Sequence, residues 1–144
     1  MLEDLYQQVI LDSSRNPRNR GDLAGNSSAA HELVTNPLCG DTVDLWVELS
    51  AGRISEVKFS GSGCTISQAS ASLMSDLVVG KTLAEARGLI ADFQALLAGA
   101  PDEDVKDRLG QMVALEGVKK FPVRMRCAML SFEALNRLLK RLGA

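Results

Sequence analysis

The chain has 144 residues, of which 46% are hydrophobic and 24% charged, and its formal net charge is −2. This size fits one domain over residues 1–144, and the small net charge gives no sign of a nucleic-acid or anionic-membrane partner. No apolar run is long enough to span a bilayer, and the first residues include Glu3 and Asp4, where a signal peptide would be basic. We therefore expect a cytoplasmic protein that binds neither membrane nor nucleic acid.

The N-terminal part of the chain predicts one helix followed by a small sheet. Apolar residues at positions 2, 5, 6, 9 and 10 have the spacing of one helical face, and this helix should end before Asn16-Pro17. Apolar residues occupy every second position from Val43 to Leu49, and a second strand-like run contains Ile54, Val57 and Phe59. Ala51-Gly52 between the two runs predicts a hairpin. With a third strand over residues 31–35, we expect a three-stranded antiparallel sheet that places one face on the core.

From Thr65 onward the pattern is helical. The first of these helices is rich in small residues, which permit close packing on a neighbour, and it should end near Gly80. Thr82, with Glu85 three residues later, has the capping-box pattern at the start of the next helix. Residues 100–102 should end that helix, because proline breaks the pattern there.

The C-terminal part continues with two more helical segments. One is expected from Asp104 to about Leu115, and residues 117–122 are interpreted as a connector. The last helix should begin near Arg124 and run to Gly143, which would place Cys127 in its first turn. The predicted fold class is therefore α+β, a small sheet packed against an N-terminal helix and a helical C-terminal half.

Each of the three cysteines lies beside a glycine or an arginine; they are Cys39, Cys64 and Cys127. Glycine lets the backbone approach a metal closely, and neighbouring cations or a helix start favour the thiolate, which is the form that ligates and attacks. An odd number of cysteines without an export signal argues against a disulfide framework. Their spacing matches no zinc-finger pattern, so only the fold can bring them together.

Asp41 lies two residues after Cys39 and is the natural fourth member of this group. Three thiolates and one carboxylate form a tetrahedral set that suits zinc or an iron–sulphur cluster held with labile character. The alternative for an isolated cysteine is a small buried hydrophobe, and the alternative for Asp41 is a solvated turn residue. His31 is interpreted as a strand residue near the surface and is left out of the site.

Other classes of function fit these residues less well. The basic last segment could contact nucleic acid, but aromatic residues make up only 4% of the chain and no binding motif accompanies the charge. Residues 61–64 do not form a phosphate loop, since no Lys-Ser/Thr pair follows them. Nothing orients His31 as the base of a cysteine nucleophile. The main alternative is a structural zinc-binding interaction module that presents its basic last helix to a partner.

Several motifs spread over nearly the whole chain carry a family resemblance. They are Tyr6-Gln7-Gln8-Val9-Ile10, Asn16-Pro17-Arg18-Asn19, Asn36-Pro37-Leu38-Cys39-Gly40-Asp41, Gly61-Ser62-Gly63-Cys64-Thr65-Ile66-Ser67, Ala69-Ser70-Ala71-Ser72 and Cys127. Together they resemble the U-type iron–sulphur cluster assembly scaffold family, whose branches are IscU, SufU and the N-terminal domain of NifU. The resemblance implies a three-stranded antiparallel sheet packed against helices, with zinc or a nascent cluster held at Cys39, Asp41, Cys64 and Cys127.

Two departures from the IscU branch make the chain resemble SufU. Arg126 stands where IscU proteins carry histidine, and the helical segment between Cys64 and Cys127 is longer. The resemblance implies a protein that accepts sulphur from a cysteine desulphurase, assembles a transient [2Fe–2S] or [4Fe–4S] cluster for apoprotein acceptors, or does both. The expected acceptor thiol is Cys39, beside Gly40, or Cys127, beside the arginines.

Overall fold

The computed structural model describes residues 2–37, 40–99 and 101–143. Its elements are α1 Leu2–Arg15, β1 Ala30–Thr35, β2 Thr42–Ser50, β3 Arg53–Ser60, α2 Thr65–Val78, α3 Leu83–Leu97, α4 Glu103–Leu109, a 3₁₀ segment Gly110–Lys120 and α5 Pro122–Arg141. None of the helices within these ranges is long and apolar enough to cross a membrane. One helix, a sheet and then helices to the end confirm the predicted α+β class.

The three strands form an antiparallel sheet in the order β1-β2-β3. Ala51 and Gly52 join β2 to β3 with φ values of 53° and 78°, as a two-residue hairpin turn requires. The alternation read from the sequence places one face of the sheet in the core. The buried strand residues on that face are Val34, Val43, Leu45, Val47, Ile54, Val57 and Phe59.

Helices α2 and α5 cover this apolar face and pack against each other. The small residues of α2 at positions 69–72 are buried, so the two helices can approach closely. The Ser70 hydroxyl donates a hydrogen bond of 2.6 Å to the Ala128 carbonyl oxygen of α5. This contact holds the helix that follows Cys64 against the helix that carries Cys127.

The structure corrects two boundaries in the C-terminal part. The prediction of a single helix from 104 to 115 is wrong. Helix α4 ends at Leu109, and the next residue, Gly110, has a φ of 55°. A 3₁₀ segment then continues to Lys120, through the residues that were interpreted as a connector. The last helix begins at Pro122 rather than near Arg124, because proline suits the first helical position. Cys127 therefore lies in the second turn of α5 and not in the first.

The capping box at the start of α3 is confirmed. The Glu85 N–H donates to the Thr82 hydroxyl at 3.1 Å, and the Thr82 N–H donates to the Glu85 carboxylate at 2.9 Å. We expect Thr82→Ala to lower the free energy of unfolding by about 1 kcal/mol, measured by chemical denaturation. Equal stability of this variant and the wild type would contradict the assignment.

Glu85→Gln is the matched control, since glutamine keeps an acceptor for the Thr82 N–H. The backbone hydrogen bond from Thr82 lowers the pKa of Glu85 below its usual value. A carboxylate with a lowered pKa in the folded state stabilises the fold at neutral pH, and this contribution is lost as the pH falls through that pKa. The stability of Glu85→Gln should therefore change less with pH in the acid range than that of the wild type.

Candidate metal centre

Asp41 lies at the end of a closed loop between β1 and β2. The Asn36 N–H donates to the Asp41 carbonyl oxygen, and the Gly40 N–H donates to the Asn36 carbonyl oxygen, both at 2.8 Å. Gly40 has a φ of 74°, which favours glycine. The loop leaves Asp41 only 4% exposed. Cys39 belongs to the same segment but lies outside the described residues.

Cys64 is the exposed N-cap residue of α2 and is held beside the start of β2. The Thr42 N–H donates to the Ser62 carbonyl oxygen at 2.7 Å, and the Ser62 N–H donates to the Thr42 hydroxyl at 3.1 Å. A Cβ atom on Gly61 would lie 2.3 Å from the Thr42 carbonyl oxygen, so only glycine allows this approach. Residues 61–64 therefore bring Cys64 close to Asp41.

Cys127 completes the described group from the side of α5, where it is 4% exposed. One ligand atom each from Asp41, Cys64 and Cys127 lies within 4.8 Å of the other two. A tetrahedral zinc ion, with its Zn–S bonds of about 2.3 Å, holds two sulphur ligands about 3.8 Å apart. Rotation of the exposed Cys64 side chain can bring its sulphur atom to the distance that zinc requires. Two thiols with a carboxylate are a donor set that zinc accepts.

His31 lies away from this group of ligand atoms, in agreement with its interpretation as a strand residue outside the site. Its ring stacks on Trp46 with the centroids 4.1 Å apart, and its Nε2 atom contacts the Asp44 carboxylate. These residues belong to β1 and β2, on the face of the sheet opposite the core. The structure therefore gives His31 a local role in the sheet rather than a place among the ligand atoms.

The loop after α1 braces this site, a role that sequence reasoning missed. The Arg18 N–H donates to the Ser72 hydroxyl at 2.8 Å, and the Arg20 guanidinium donates to the Gly61 carbonyl oxygen at 3.0 Å and to Gln68 Oε1 at 2.7 Å. The bonds of Arg20 hold the loop before Cys64 and the first turns of α2 together. The motif at 16–19 and the adjoining Arg20 were visible in the sequence, but the partners of Arg18 and Arg20 lie about 40 to 55 residues away along the chain.

Sequence reasoning missed Ser67, and it singled out Gly63 only as the glycine beside Cys64. Gly63 has no side chain, and a Cβ atom there would lie 2.3 Å from Ser67 Oγ and 2.9 Å from Asp41 Cγ. Ser67 is 1% exposed and lies three residues after Cys64. The available signal was this spacing, because residues three apart lie on the same face of a helix.

A cleft of about 750 Å³ opens beside the two described thiols. It runs between α1, the 3₁₀ segment and the start of α5, and its rim carries the exposed apolar side chains of Leu11, Phe121 and Val123. Two arginines shortly precede Cys127 in the sequence: Arg124 lines this cleft, and Arg126 lines a separate one. The buried thiol of Cys127 is therefore reached through an open, largely apolar cleft.

The fold and this site define a class of protein: a small α+β domain with thiols and a carboxylate at one end of its sheet. The chain belongs to the NifU-like N terminal domain family, whose profile matches residues 5–128. The family resemblance found in the sequence is thereby confirmed.

Individual relatives cover nearly all of the chain. The zinc-dependent sulfurtransferase SufU of Bacillus subtilis (strain 168) is 42% identical over 94% of this chain and 90% of its own length. The iron–sulfur cluster assembly scaffold protein IscU of Streptococcus pyogenes serotype M1 is 39% identical over 97% of this chain and 86% of its own. The crystal structure of a nitrogen-fixing NifU-like protein (N-terminal) from Brucella abortus superposes with a TM-score of 0.82 at 26% identity, covering 99% of this chain and 98% of that one.

Proposed function

We propose that this protein accepts sulphur from a cysteine desulphurase at a zinc site and serves in iron–sulphur cluster biogenesis. The observation that carries the proposal is the convergence of Asp41, Cys64 and Cys127, whose two cysteines line an open cleft. Relatives whose names include a zinc-dependent sulfurtransferase and a cluster assembly scaffold align with more than nine-tenths of the chain, which supports both parts of the proposal.

The proposed ligands are Cys39, Asp41, Cys64 and Cys127. Three of them converge in the described structure, and Cys39 precedes Asp41 by two positions in the sequence. Zinc, when bound, would keep the thiols deprotonated and ordered. The thiols must be reduced for this role, which favours the cytoplasm as the location of the protein.

The proposed transfer is an exchange between sulphur atoms. A thiolate of this protein, from Cys39 or Cys127, attacks the outer sulphur of a persulphide on the desulphurase. A new S–S bond forms as the S–S bond of the desulphurase breaks, and the desulphurase cysteine leaves as a thiolate, so no external oxidant or reductant is needed. The cleft beside Cys127 gives a partner's persulphide a path to that buried thiol.

A scaffold role at the same residues is the second candidate, and the exposure of Cys64 favours it. In this role iron and sulphide are cargo that assembles on the three cysteines, as a [2Fe–2S] or [4Fe–4S] cluster, and passes to apoprotein acceptors. The carboxylate of Asp41 is a harder and weaker partner for cluster iron than a thiolate, which favours release. A closed structural zinc site fits less well, since Cys64 is exposed beside an open cleft.

The test is an anaerobic reaction of the zinc-loaded protein with a cysteine desulphurase and cysteine, followed by intact-mass analysis and metal determination. We expect a mass gain of one sulphur atom, located on Cys39 or Cys127 by peptide mapping, with zinc retained. Omitting the desulphurase is the control and should give no gain. Peptide mapping must cover all three cysteines because Cys64 is exposed.

Two other results would change the assignment. Uptake of iron and sulphide with a visible cluster chromophore, as zinc leaves and no persulphide forms, would select the scaffold role. No sulphur and no cluster, with unfolding when a chelator strips the zinc, would contradict both roles and support a structural zinc module.

A further inference from the structure

Ser67 lies within reach of the Cys64 sulphur and is almost fully buried. The residue is 1% exposed, and its Oγ atom lies 3.9 Å from Cys64 Sγ. In the present conformation the hydroxyl donates instead to the Cys64 carbonyl oxygen at 3.1 Å. The serine therefore faces both the backbone and the side chain of one proposed ligand.

The Cys64 carbonyl oxygen has a second hydrogen-bond donor besides the Ser67 hydroxyl. The Gln68 N–H donates to the same oxygen at 3.1 Å, as the first hydrogen bond of the helix. The Ser67 proton can therefore turn toward the sulphur without leaving a buried carbonyl oxygen without a donor. A thiolate at Cys64 would be a stronger acceptor than the carbonyl oxygen, because hydrogen bonds to charged groups are the stronger ones.

Ser67 also adjoins the proposed carboxylate ligand. The position that a Cβ atom on Gly63 would occupy is 2.3 Å from Ser67 Oγ and 3.0 Å from Asp41 Oδ1. The serine hydroxyl and the Asp41 carboxylate thus both border the small space beside Gly63. Ser67 is fixed beside two ligands at once by the lack of a side chain at Gly63.

We propose that Ser67 is a positioning residue that donates a hydrogen bond to the Cys64 thiolate and holds it toward Asp41 and Cys127. This inference rests on the proposed function, since it concerns the same site. The exposed side chain of Cys64 has freedom to rotate, and a fixed buried donor restricts it to the orientation that ligation needs. Losing a hydrogen bond to a metal ligand typically lowers metal affinity by about 10- to 100-fold.

The test measures zinc affinity by competition with a chromophoric chelator, and the sulphur-to-cobalt charge-transfer band of the Co²⁺-loaded protein. Ser67→Ala should raise the zinc dissociation constant by about 10- to 100-fold and shift this band. Ser67→Thr keeps the hydroxyl and should restore both toward the wild type. Alanine is the better helix former, so the alanine variant is expected to fold, and circular dichroism checks this.

Ser75→Ala is the matched control. Ser75 is also a buried serine of α2, and its hydroxyl donates to a carbonyl oxygen three residues back, that of Ser72, at 2.7 Å. The Ser75 Oγ atom also accepts from the Asn19 side-chain amide at 3.0 Å, so this variant loses at least as many hydrogen bonds as Ser67→Ala. It should nevertheless leave the zinc affinity and the cobalt band unchanged.

Two results would overturn the inference, and they are distinguishable. Zinc affinity of Ser67→Ala within about twofold of the wild type, with an unchanged cobalt band, would remove Ser67 from the site and leave the proposed function standing. Failure of the wild-type protein itself to bind zinc would overturn the proposed function and this inference with it.

Discussion

Replacing Cys127 by serine is expected to lower zinc affinity by more than about 100-fold, because the loss of a ligand should exceed the 10- to 100-fold cost of losing a supporting hydrogen bond. The thiol is 4% exposed, and its sulphur belongs to the group of ligand atoms within 4.8 Å of one another. Serine has nearly the same shape, but its hydroxyl is a poor ligand for zinc at neutral pH. The measurement is competition with a chromophoric chelator, followed by the desulphurase assay, in which sulphur uptake should fall together with zinc occupancy.

Ser131→Ala is the control for damage to α5. Ser131 lies four residues after Cys127, is fully buried and lies 3.4 Å from the Ser70 hydroxyl, so its replacement perturbs the same helix contact. We expect the control to bind zinc as the wild type does. Unchanged zinc affinity in Cys127→Ser would mean that the sulphur is not a ligand, although it lies near Asp41 and Cys64.

Replacing Gly63 by alanine is expected to disrupt the site while the fold is kept. The added methyl group would lie 2.3 Å from Ser67 Oγ and 2.9 Å from Asp41 Cγ, so both side chains must move. Overpacking of this kind costs about 1–3 kcal/mol of unfolding free energy. Zinc affinity should fall by at least about 10-fold, because the displaced groups are a proposed ligand and its neighbour. Denaturation and chelator competition measure the two effects separately.

Gly25→Ala is the matched control for Gly63→Ala. A Cβ atom on Gly25 would meet nothing within 4 Å, so the methyl group itself should have no effect on zinc binding. Adding Ser67→Ala to Gly63→Ala removes the shorter contact but leaves the one to Asp41, so we expect partial recovery of stability and no recovery of affinity. Wild-type zinc affinity in the single variant would show that the space beside Gly63 does not matter to the site.

Local features of the sequence predicted much of the fold. The hairpin turn at Ala51-Gly52 and the capping box of Thr82 and Glu85 depend on residues within a few positions of each other, and both are confirmed. The errors fell where periodicity is ambiguous. The spacing of apolar residues does not distinguish α4 from the 3₁₀ segment, because in both kinds of helix residues three or four apart lie on the same face. The positive φ at Gly110, which ends α4, is set by tertiary contacts.

The composition of the candidate site was also visible in the chain. Glycine and arginine beside the cysteines, with Asp41 next to Gly40, indicated chemistry rather than packing, and the family relationship agrees with that. The placement of Cys127 in the first turn of a helix was wrong, since α5 begins at Pro122. A charge argument based on the first turn therefore applies less well to Cys127 than to Cys64, the N-cap residue of α2.

By itself, the sequence determined most of the elements, the fold class and the candidate metal-binding residues, because these depend on residue type and on short-range spacing. Only the tertiary structure decided that Asp41, Cys64 and Cys127 meet, that Ser67 and Gly63 adjoin them and that a cleft leads to Cys127. The physical reason is that contacts between distant segments set these positions, such as the hydrogen bond from Ser70 to the Ala128 carbonyl oxygen across 58 residues. No local sequence pattern encodes the contact between two residues so far apart in the chain, since that contact results from how whole elements pack against one another.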